Sequence, residues 1–162
     1  MMFKVLNAMI HYFGTDVRRI NHALKVYGFA STICRSEGLG QEMIDCIEMS
    51  AILHDIGIPV SEKKYGLCIG KYQEISGPPI AKDILRRLNV PVESIERICY
   101  IIGNHHTYHK VDGLDFQILI EADFLVNIYE DEMSVEMIES IKRKYIKTPA
   151  AVAIINSLYQ LK

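Results

Sequence analysis

Near the middle of the chain the sequence reads Ala51-Ile52-Leu53-His54-Asp55-Ile56-Gly57. The apolar residues before His54 continue a pattern of helical spacing that starts near Gln41. Gly57 and Pro59 are predicted to end this helix, because glycine and proline both interrupt helical backbone. A helix end holds an imidazole and a carboxylate on fixed backbone beside an open loop. A metal site needs this combination of rigidity and access, so His54 and Asp55 are candidate ligands.

Helical patterns continue on both sides of this segment. Apolar residues recur at three- and four-residue spacings, and no segment shows the sustained alternation of a strand. Several side chains are predicted as N-caps, because they can accept a hydrogen bond from the first helical N–H groups: Asp16, Asp115, Ser134 and Thr148. The sequence predicts an all-α bundle of about six to eight helices. These cover about residues 16–37, 41–55, 79–88, 92–104, 115–129 and 134–144, with a last helix from 148.

Three segments between the predicted helices have irregular patterns. Residues 57–71 contain a proline, glycines and lysines, and predict a functional loop that could act as a lid. Residues 76–79, Ser-Gly-Pro-Pro, predict a turn after which Pro79 opens the next helix. Residues 105–113 predict a polar loop. We expect the groups that select a substrate in loops 57–71 and 104–113.

The length of 162 residues predicts one domain, with a core over about 16–131 and a C-terminal helical extension over about 134–161. Residues 149–155 are apolar enough to pack on the core or on another subunit, so a homo-oligomer stays open. The sequence has no run of about 18 apolar residues and therefore predicts no transmembrane helix. The N-terminus also lacks the apolar block of a signal peptide. We expect a cytoplasmic protein with no membrane partner.

The charge balance is slightly acidic, with a net charge of −2 and a pI near 6.3. Broad nucleic-acid binding usually needs a basic surface, so nucleic acid is not an expected partner. A small phosphorylated ligand stays compatible with this charge, because a few local cations suffice to bind it.

The cysteines are widely spaced and form no CxxC pair, which argues against a disulfide framework and against a cysteine-rich zinc site. They are Cys34, Cys46, Cys68 and Cys99. Three of the four lie in apolar helical patterns, so buried thiols are expected.

Two further residues could complete a ligand set with His54 and Asp55. His22 lies within a predicted helix among apolar neighbours, and Asp123 lies in the largely apolar segment 119–126. A carboxylate inside such a segment is costly to bury alone, and a metal or another cation would offset that cost. The residues alone leave alternatives open: a structural histidine at 22, and a helix-surface carboxylate at 123, since Glu121 nearby is also polar.

The order of these residues resembles the H…HD…D signature of the HD superfamily of metal-dependent phosphohydrolases. His22, the pair His54-Asp55, and Asp123 match the signature itself. Flanking segments are similar as well: residues 19–23 to the first helix of the family, 51–57 to its HD helix, 77–85 to its middle helix, and 102–106 to the segment that can add histidine ligands. The similarity spans about residues 18–130, and several motifs in order make it more specific than any single motif.

The resemblance implies an all-α fold and phosphate-ester hydrolysis, often of nucleotides. It also implies a divalent metal that would polarise a phosphoryl oxygen and lower the pKa of bound water. Imidazole and carboxylate ligands suit Zn, Fe, Mn, Ni or Co, and Mg also stays a candidate. The implied ligands are His22, His54, Asp55 and Asp123, with Asp55 bridging if two metals bind.

One position departs from the family pattern. Members with two metals often carry a histidine four residues before the glycine that corresponds to Gly77, and this chain has Gln73 there. Glutamine is a poor metal ligand. Glu74, His105 and His106 could hold a second metal or contact substrate, although the two histidines could instead be a solvated loop pair. One metal site is expected, and a second stays open.

Nearby cations could bind a substrate phosphate. Arg18 lies one helical turn before His22 on the same face and is favoured over Arg19. The segment after the HD pair carries lysines that could close over an anion or simply be solvated: Lys63, Lys64 and Lys71. The expected catalytic set is His54, Asp55, Arg18 and Lys71.

Three functions are compatible with the sequence. The leading hypothesis is a metal-dependent phosphohydrolase acting on a phosphate ester of a small metabolite, with a nucleotide as the main substrate class. The second is a non-catalytic HD module that senses a ligand or binds a partner. The third is a di-iron oxygenase of the kind found among some HD proteins, which His105 and His106 keep open and Gln73 weakens.

Overall fold

The computed structural model describes residues 1–66 and 69–161. These residues form α-helices, one short 3-10 helix at Tyr108–Lys110 and no strand, which confirms the all-α prediction. No helix among them is long and apolar enough to cross a bilayer. The helices are α1 (Met2–Phe13), α2 (Val17–Ser36), α3 (Gln41–Leu53), α4 (Ile58–Tyr65), α5 (Gly70–Arg87), α6 (Val92–Ile102), α7 (Leu114–Glu130), α8 (Val135–Tyr145) and α9 (Pro149–Tyr159).

Helix α3 lies at the centre of the bundle, in contact with α1, α2, α6 and α7. Every side chain from Cys46 to Leu53 is buried, and Glu48 within this stretch accepts hydrogen bonds from Ser31 and Arg35. A helix that is apolar on nearly all sides is typical of an enclosed position. This enclosure fixes the backbone at the end of α3, where His54 and Asp55 follow.

Local capping explains three of the predicted helix starts. Asp16, Ser134 and Thr148 each accept a hydrogen bond from the backbone N–H three residues ahead. The fourth predicted cap was wrong: Asp115 lies inside the first turn of α7, and the N-cap is Gly113. The Asp115 carboxylate accepts hydrogen bonds from Arg97 of α6 at 2.6 and 2.7 Å and so links α7 to α6.

The predicted loop over residues 57–71 was wrong for most of its length. Residues Ile58–Tyr65 form α4, and residues 70–71 belong to α5. Pro59 lies in the first turn of α4, where a missing N–H loses no helical hydrogen bond, so it starts a helix here. The segment proposed as a lid also includes Leu67 and Cys68, which lie outside the described residues.

The predicted turn at 76–79 was also wrong, because α5 runs through it with Pro78 and Pro79 in its interior. Tertiary contacts hold this helix despite the two missing N–H donors. The turn after α3 packs directly on the backbone of α5. A Cβ on Gly57 would lie only 2.6 Å from the Gln73 carbonyl oxygen and from the Gly77 nitrogen, both of which belong to α5. Because residue 57 is a glycine, the backbone of α5 can pack against the turn that carries His54 and Asp55.

Helix α1 lies where the sequence patterns assigned no element. It buries Val5, Met9 and Phe13 in the core. Its N-cap, Met1, makes no side-chain capping hydrogen bond, so the usual local start signal is absent. At the other end of the chain, α9 packs on α2 and α7 and buries Ala151 and Ile155.

The described cysteines are free thiols inside or near the core. Cys34 and Cys46 are buried, as expected, and Cys99 is half-buried. Burial raises the pKa of Cys34 to about 12 and the pKa of Cys46 to about 11, so both are neutral thiols at ordinary pH. The fourth, Cys68, falls outside the described residues.

Candidate metal centre

Four side chains meet where α2, the end of α3, and α7 converge. His22 comes from the middle of α2, His54 and Asp55 from the turn after α3, and Asp123 from the middle of α7. Helix α3 packs against both α2 and α7, and α2 packs against α7. The structure therefore brings together all four residues predicted as metal ligands.

The donor atoms of these four side chains are closely spaced. His22 Nε2 lies 3.2 Å from both His54 Nε2 and Asp123 Oδ1. Asp55 Oδ2 lies 3.4 Å from His54 Nε2 and 3.6 Å from His22 Nε2. Ligand bonds of about 2.1 Å place neighbouring donors about 3.0 Å apart in octahedral geometry and about 3.4 Å apart in tetrahedral geometry. The donors of His22, His54 and Asp123 are spaced for a single divalent ion, and Asp55 Oδ2 lies close enough to the two histidines to join them.

The other ring nitrogen of each histidine fixes which atom faces the centre. His54 Nδ1 lies 2.8 Å from the Ala51 carbonyl oxygen, which only accepts, so Nδ1 carries the proton. His22 Nδ1 lies 2.9 Å from Glu130 Oε2 and donates to that carboxylate. In the neutral rings, both Nε2 atoms are left with a lone pair directed at the centre. Metal-binding histidines are held in this way by partners behind the ring.

The centre is almost closed to solvent, since His54 is 1% exposed and Asp123 8%. Asp123 is therefore not a helix-surface carboxylate. Burial alone would lower the pKa of His22, but the neighbouring Asp123 and Asp55 raise it to about 9. Burial alone would raise the pKa of both aspartates, and the surrounding imidazoles lower it instead. The two aspartates therefore stabilise a positive charge at this centre.

A second group of donor atoms lies beside the first and consists of Asp55, His105 and His106. His105 Nδ1 lies 2.7 Å from the Ile102 carbonyl oxygen, so Nε2 carries the lone pair. That Nε2 is buried, 3.6 Å from Asp55 Oδ1, and has no hydrogen-bond partner among the described residues. His105 is 1% exposed, so the solvated-loop alternative was wrong for it. A cation at this position would satisfy the nitrogen.

Gln73 and Glu74 support the loop that carries these histidines. Gln73 Oε1 lies 3.0 Å from His106 Nε2. Glu74 accepts hydrogen bonds from the His106 backbone N–H at 3.0 Å and from Thr107 Oγ1 at 2.9 Å. Glu74 thus belongs to neither group of donor atoms found in the described chain, and its carboxylate is engaged in holding the loop.

A cavity of about 350 Å³ opens onto the centre beside His22 and Asp55. Arg18 lines it, is exposed, and makes no ion pair with any residue the structure describes. Arg19 also lines it, but donates hydrogen bonds to the carboxylates of Asp16 and Glu62. The two neighbouring arginines therefore differ: one can meet a ligand, and the other joins α2 to α4.

The predicted anion-binding lysines lie elsewhere. Lys63 and Lys64 are exposed in the last turn of α4, and Lys64 Nζ lies 5.1 Å from the centre of the Tyr65 ring. Lys71 is exposed in the first turn of α5. Within the described ranges, none of the three lines the cavity beside His22.

Sequence reasoning missed two residues behind the centre. Glu130, the last residue of α7, contacts His22 Nδ1 and is itself hydrogen-bonded by Lys25 of α2. Glu130 and His22 are 108 positions apart, so no local pattern links them. Only the packing of α2 against α7 places them together.

Comparison with known protein families identifies the family of this chain. The model of the HD domain family matches residues 19–147. The chain belongs to the HD domain family. The matched region begins in α2, extends through α8 and contains all four residues whose donor atoms meet at the centre.

An HD protein of known structure has the same fold. This protein, from an uncultured Thermotogales bacterium, is described as a "predicted HD superfamily hydrolase", and its crystal structure is known. The two chains are 24% identical with a TM-score of 0.70, and the alignment covers 96% of this chain and 83% of the other. A search of curated protein sequences finds no match.

Proposed function

We propose that this HD protein is a metal-dependent phosphohydrolase that hydrolyses a phosphate ester of a small metabolite, with nucleotides as the main substrate class. The supporting observation is the close spacing of donor atoms from His22, His54, Asp55 and Asp123 at the edge of a cavity. The hydrolase description of the similar Thermotogales protein is consistent with this proposal.

The protein would hold the metal through His22, His54, Asp55 and Asp123. When bound, a divalent ion would supply Lewis-acid activation of a phosphoryl group and of water. Asp55 has one oxygen toward the first group of donors and the other toward His105, so it would be the bridging carboxylate if a second ion binds. Enclosure of the donors by α2, α3 and α7 limits access to the cavity side.

Arg18 would bind and orient the substrate phosphate. It lines the cavity with His22 and Asp55, and no described carboxylate pairs with it. A guanidinium presents paired N–H donors that match phosphate oxygens. Lys71 and the two lysines of α4 lie outside the cavity lining, so we propose Arg18 as the main phosphate ligand.

The rest of the cavity lining bears on substrate charge. Carboxylates outnumber cations among its residues, which are Asp16, Arg18, Arg19, His22, Asp55, Ile58, Glu62, Asn127, Glu130 and Asp131. Arg19 pairs with Asp16 and Glu62, Lys25 pairs with Glu130, and a bound divalent ion would offset the charge of Asp55. Arg18 is left as the arginine of the lining that can meet a phosphate, which suits a single phosphate group. We therefore expect monophosphate esters to be better substrates than nucleoside triphosphates.

A substrate panel tests the proposal. The protein is loaded separately with Mn²⁺, Co²⁺, Ni²⁺ and Mg²⁺, and phosphate release is measured from phosphomonoesters, phosphodiesters and nucleoside triphosphates. The expected result is metal-dependent release, lost in Asp55→Ala and retained in Asp83→Asn, whose carboxylate is exposed on α5. Release from no substrate with any metal would contradict the proposal. Oxygen consumption by iron-loaded protein without phosphate release would support an oxidative function instead.

A further inference from the structure

We propose that Glu130 is a positioning residue that sets the orientation and donor strength of the metal ligand His22, and that Lys25 holds Glu130 for this task. The inference rests on the metal site of the proposed function. It does not depend on which reaction that site performs.

The contacts form a chain from the surface to the centre. Lys25 donates a hydrogen bond to Glu130 Oε1, and Glu130 Oε2 accepts from His22 Nδ1 at 2.9 Å. On the other side of the ring, His22 Nε2 lies 3.2 Å from Asp123 Oδ1. Each carboxylate oxygen of Glu130 thus has its own partner, and Lys25 leaves Oε2 directed at the histidine.

Glu130 differs from the partners behind the other histidines. His54 and His105 each donate to a neutral backbone carbonyl of their own chain segment, three residues before the ring. His22 alone among these three donates to a charged carboxylate. A carboxylate behind a ligating imidazole makes its other nitrogen a stronger donor and restrains ring rotation. His22 needs such a partner because it lies in mid-helix, where carbonyls behind it are already engaged in helical hydrogen bonds.

The location also suits a positioning role. The side chain of Glu130 is only 16% exposed, whereas that of Lys25 is 43% exposed. The Glu130 carboxylate lies between Lys25 and His22, in hydrogen-bond contact with both.

The test measures metal affinity with Co²⁺ alone as the probe. Binding is followed by competition with a chromophoric chelator and by the visible absorption spectrum of bound Co²⁺, which reports the ligand set directly. We expect Glu130→Gln, which keeps an acceptor oxygen but loses the charge, to weaken Co²⁺ binding about 10- to 100-fold. Glu130→Ala should weaken it further. Glu139→Gln, an equivalent change at an exposed residue of α8, should leave the affinity within twofold of wild type.

Lys25 is tested through a double-mutant cycle. Lys25→Met should weaken Co²⁺ binding less than Glu130→Gln does, and the double variant should bind no more weakly than Glu130→Gln alone, because Lys25 acts only through Glu130. Additive losses would overturn the assignment of Lys25. Thermal unfolding of the metal-free variants checks that each has folded.

Two outcomes separate this inference from the proposed function. If Glu130→Gln binds Co²⁺ as tightly as wild type, with an unchanged spectrum, the positioning role is overturned even if wild type hydrolyses phosphate esters. If Glu130→Gln weakens Co²⁺ binding as expected while no phosphate ester is hydrolysed by wild type, the positioning role stands and the hydrolase proposal fails.

Discussion

His22 Nε2 lies 3.2 Å from His54 Nε2, so the two ring nitrogens need a proton or a metal ion between them. This follows because the proton of each ring is on Nδ1, where Glu130 and the Ala51 carbonyl accept it. Two lone pairs at this distance repel unless a proton or a metal ion lies between them. The Asp123 carboxylate adjoins the same space. The space between His22, His54 and Asp123 therefore requires a bound proton or a metal cation.

Arg18 and Arg19 are adjacent in the chain but have separable roles. Arg18→Ala should lower kcat/KM for a phosphate ester about 10- to 100-fold, because a charge-assisted hydrogen bond contributes about 1.5–3 kcal/mol. Its melting temperature should stay near that of wild type. Arg19→Ala should lower the melting temperature by a few degrees, since partly exposed ion pairs contribute up to about 1 kcal/mol each. Kinetics and calorimetry on both variants check this, and a larger kinetic loss in Arg19→Ala would contradict it.

Gln73 is expected to limit the number of bound metals. Its Oε1 lies 3.0 Å from His106 Nε2, beside the donor group of Asp55 and His105. Gln73→His would add an imidazole donor there, and metal content should rise from one to two ions per chain. Gln73→Ala removes the amide without adding a ligand and should not raise the metal content. Elemental analysis of both variants distinguishes the cases; a single ion in Gln73→His would show that this residue does not set the stoichiometry.

Glu121 should be among the most important polar residues for stability. Its carboxylate is fully buried and accepts hydrogen bonds from the backbone N–H groups of Lys147 and Thr148 at 2.6 and 2.8 Å. Glu121→Ala leaves these donors unsatisfied at about 1–3 kcal/mol each. Thermal unfolding should show a decrease of roughly 5–15 °C, with a smaller decrease in Glu121→Gln. A decrease no larger than that of Glu139→Ala, on the exposed face of α8, would contradict this role.

The Arg97–Asp115 pair predicts a pH-dependent stability. Burial alone would raise the pKa of Asp115, but hydrogen bonds from Arg97 and the Phe116 N–H lower it below 3.8. A carboxyl whose pKa is lower in the folded state stabilises the protein above its unfolded pKa. This stabilisation is lost as pH falls from about 4 through the folded pKa. Urea unfolding of wild type and Asp115→Asn should therefore differ more at pH 7 than at pH 3.

The metal-site carboxylates titrate in both proteins and cancel in this comparison, which must be made on metal-free samples. An equal difference in unfolding free energy at the two pH values would mean that Asp115 contributes through its shape alone. A greater difference at pH 3 would contradict the direction of the pKa shift.

Local interactions account for what the sequence could predict. Caps such as Asp16 and Ser134 act within one turn, and the apolar spacing of α3 reflects its own burial, so these elements can be read from short windows. The four candidate metal ligands were predicted because their order along the chain resembles the HD signature. Their distances come from the packing of α2, α3 and α7.

The features that sequence patterns missed depend on distant contacts. Pro78 and Pro79 indicate a turn locally, yet α5 continues through them where Gly57 allows close backbone packing. In the sequence, Glu121 resembles a surface residue. Its burial depends on the backbone N–H of Lys147, 26 positions later, which donates a hydrogen bond to its carboxylate. The role of Glu130 is visible only in the structure, because its partner His22 lies in α2, 108 positions earlier in the chain.

Metal content tests the central claim most directly. Wild type and Asp55→Ala are equilibrated with Mn²⁺, passed through a desalting column and measured by elemental analysis, with Asp83→Asn as the matched control. The account predicts about one ion per chain in wild type and in Asp83→Asn, and a large loss in Asp55→Ala, because Asp55 borders both groups of donor atoms. No retained metal in wild type, or equal retention in Asp55→Ala, would contradict a metal centre built on the HD residues.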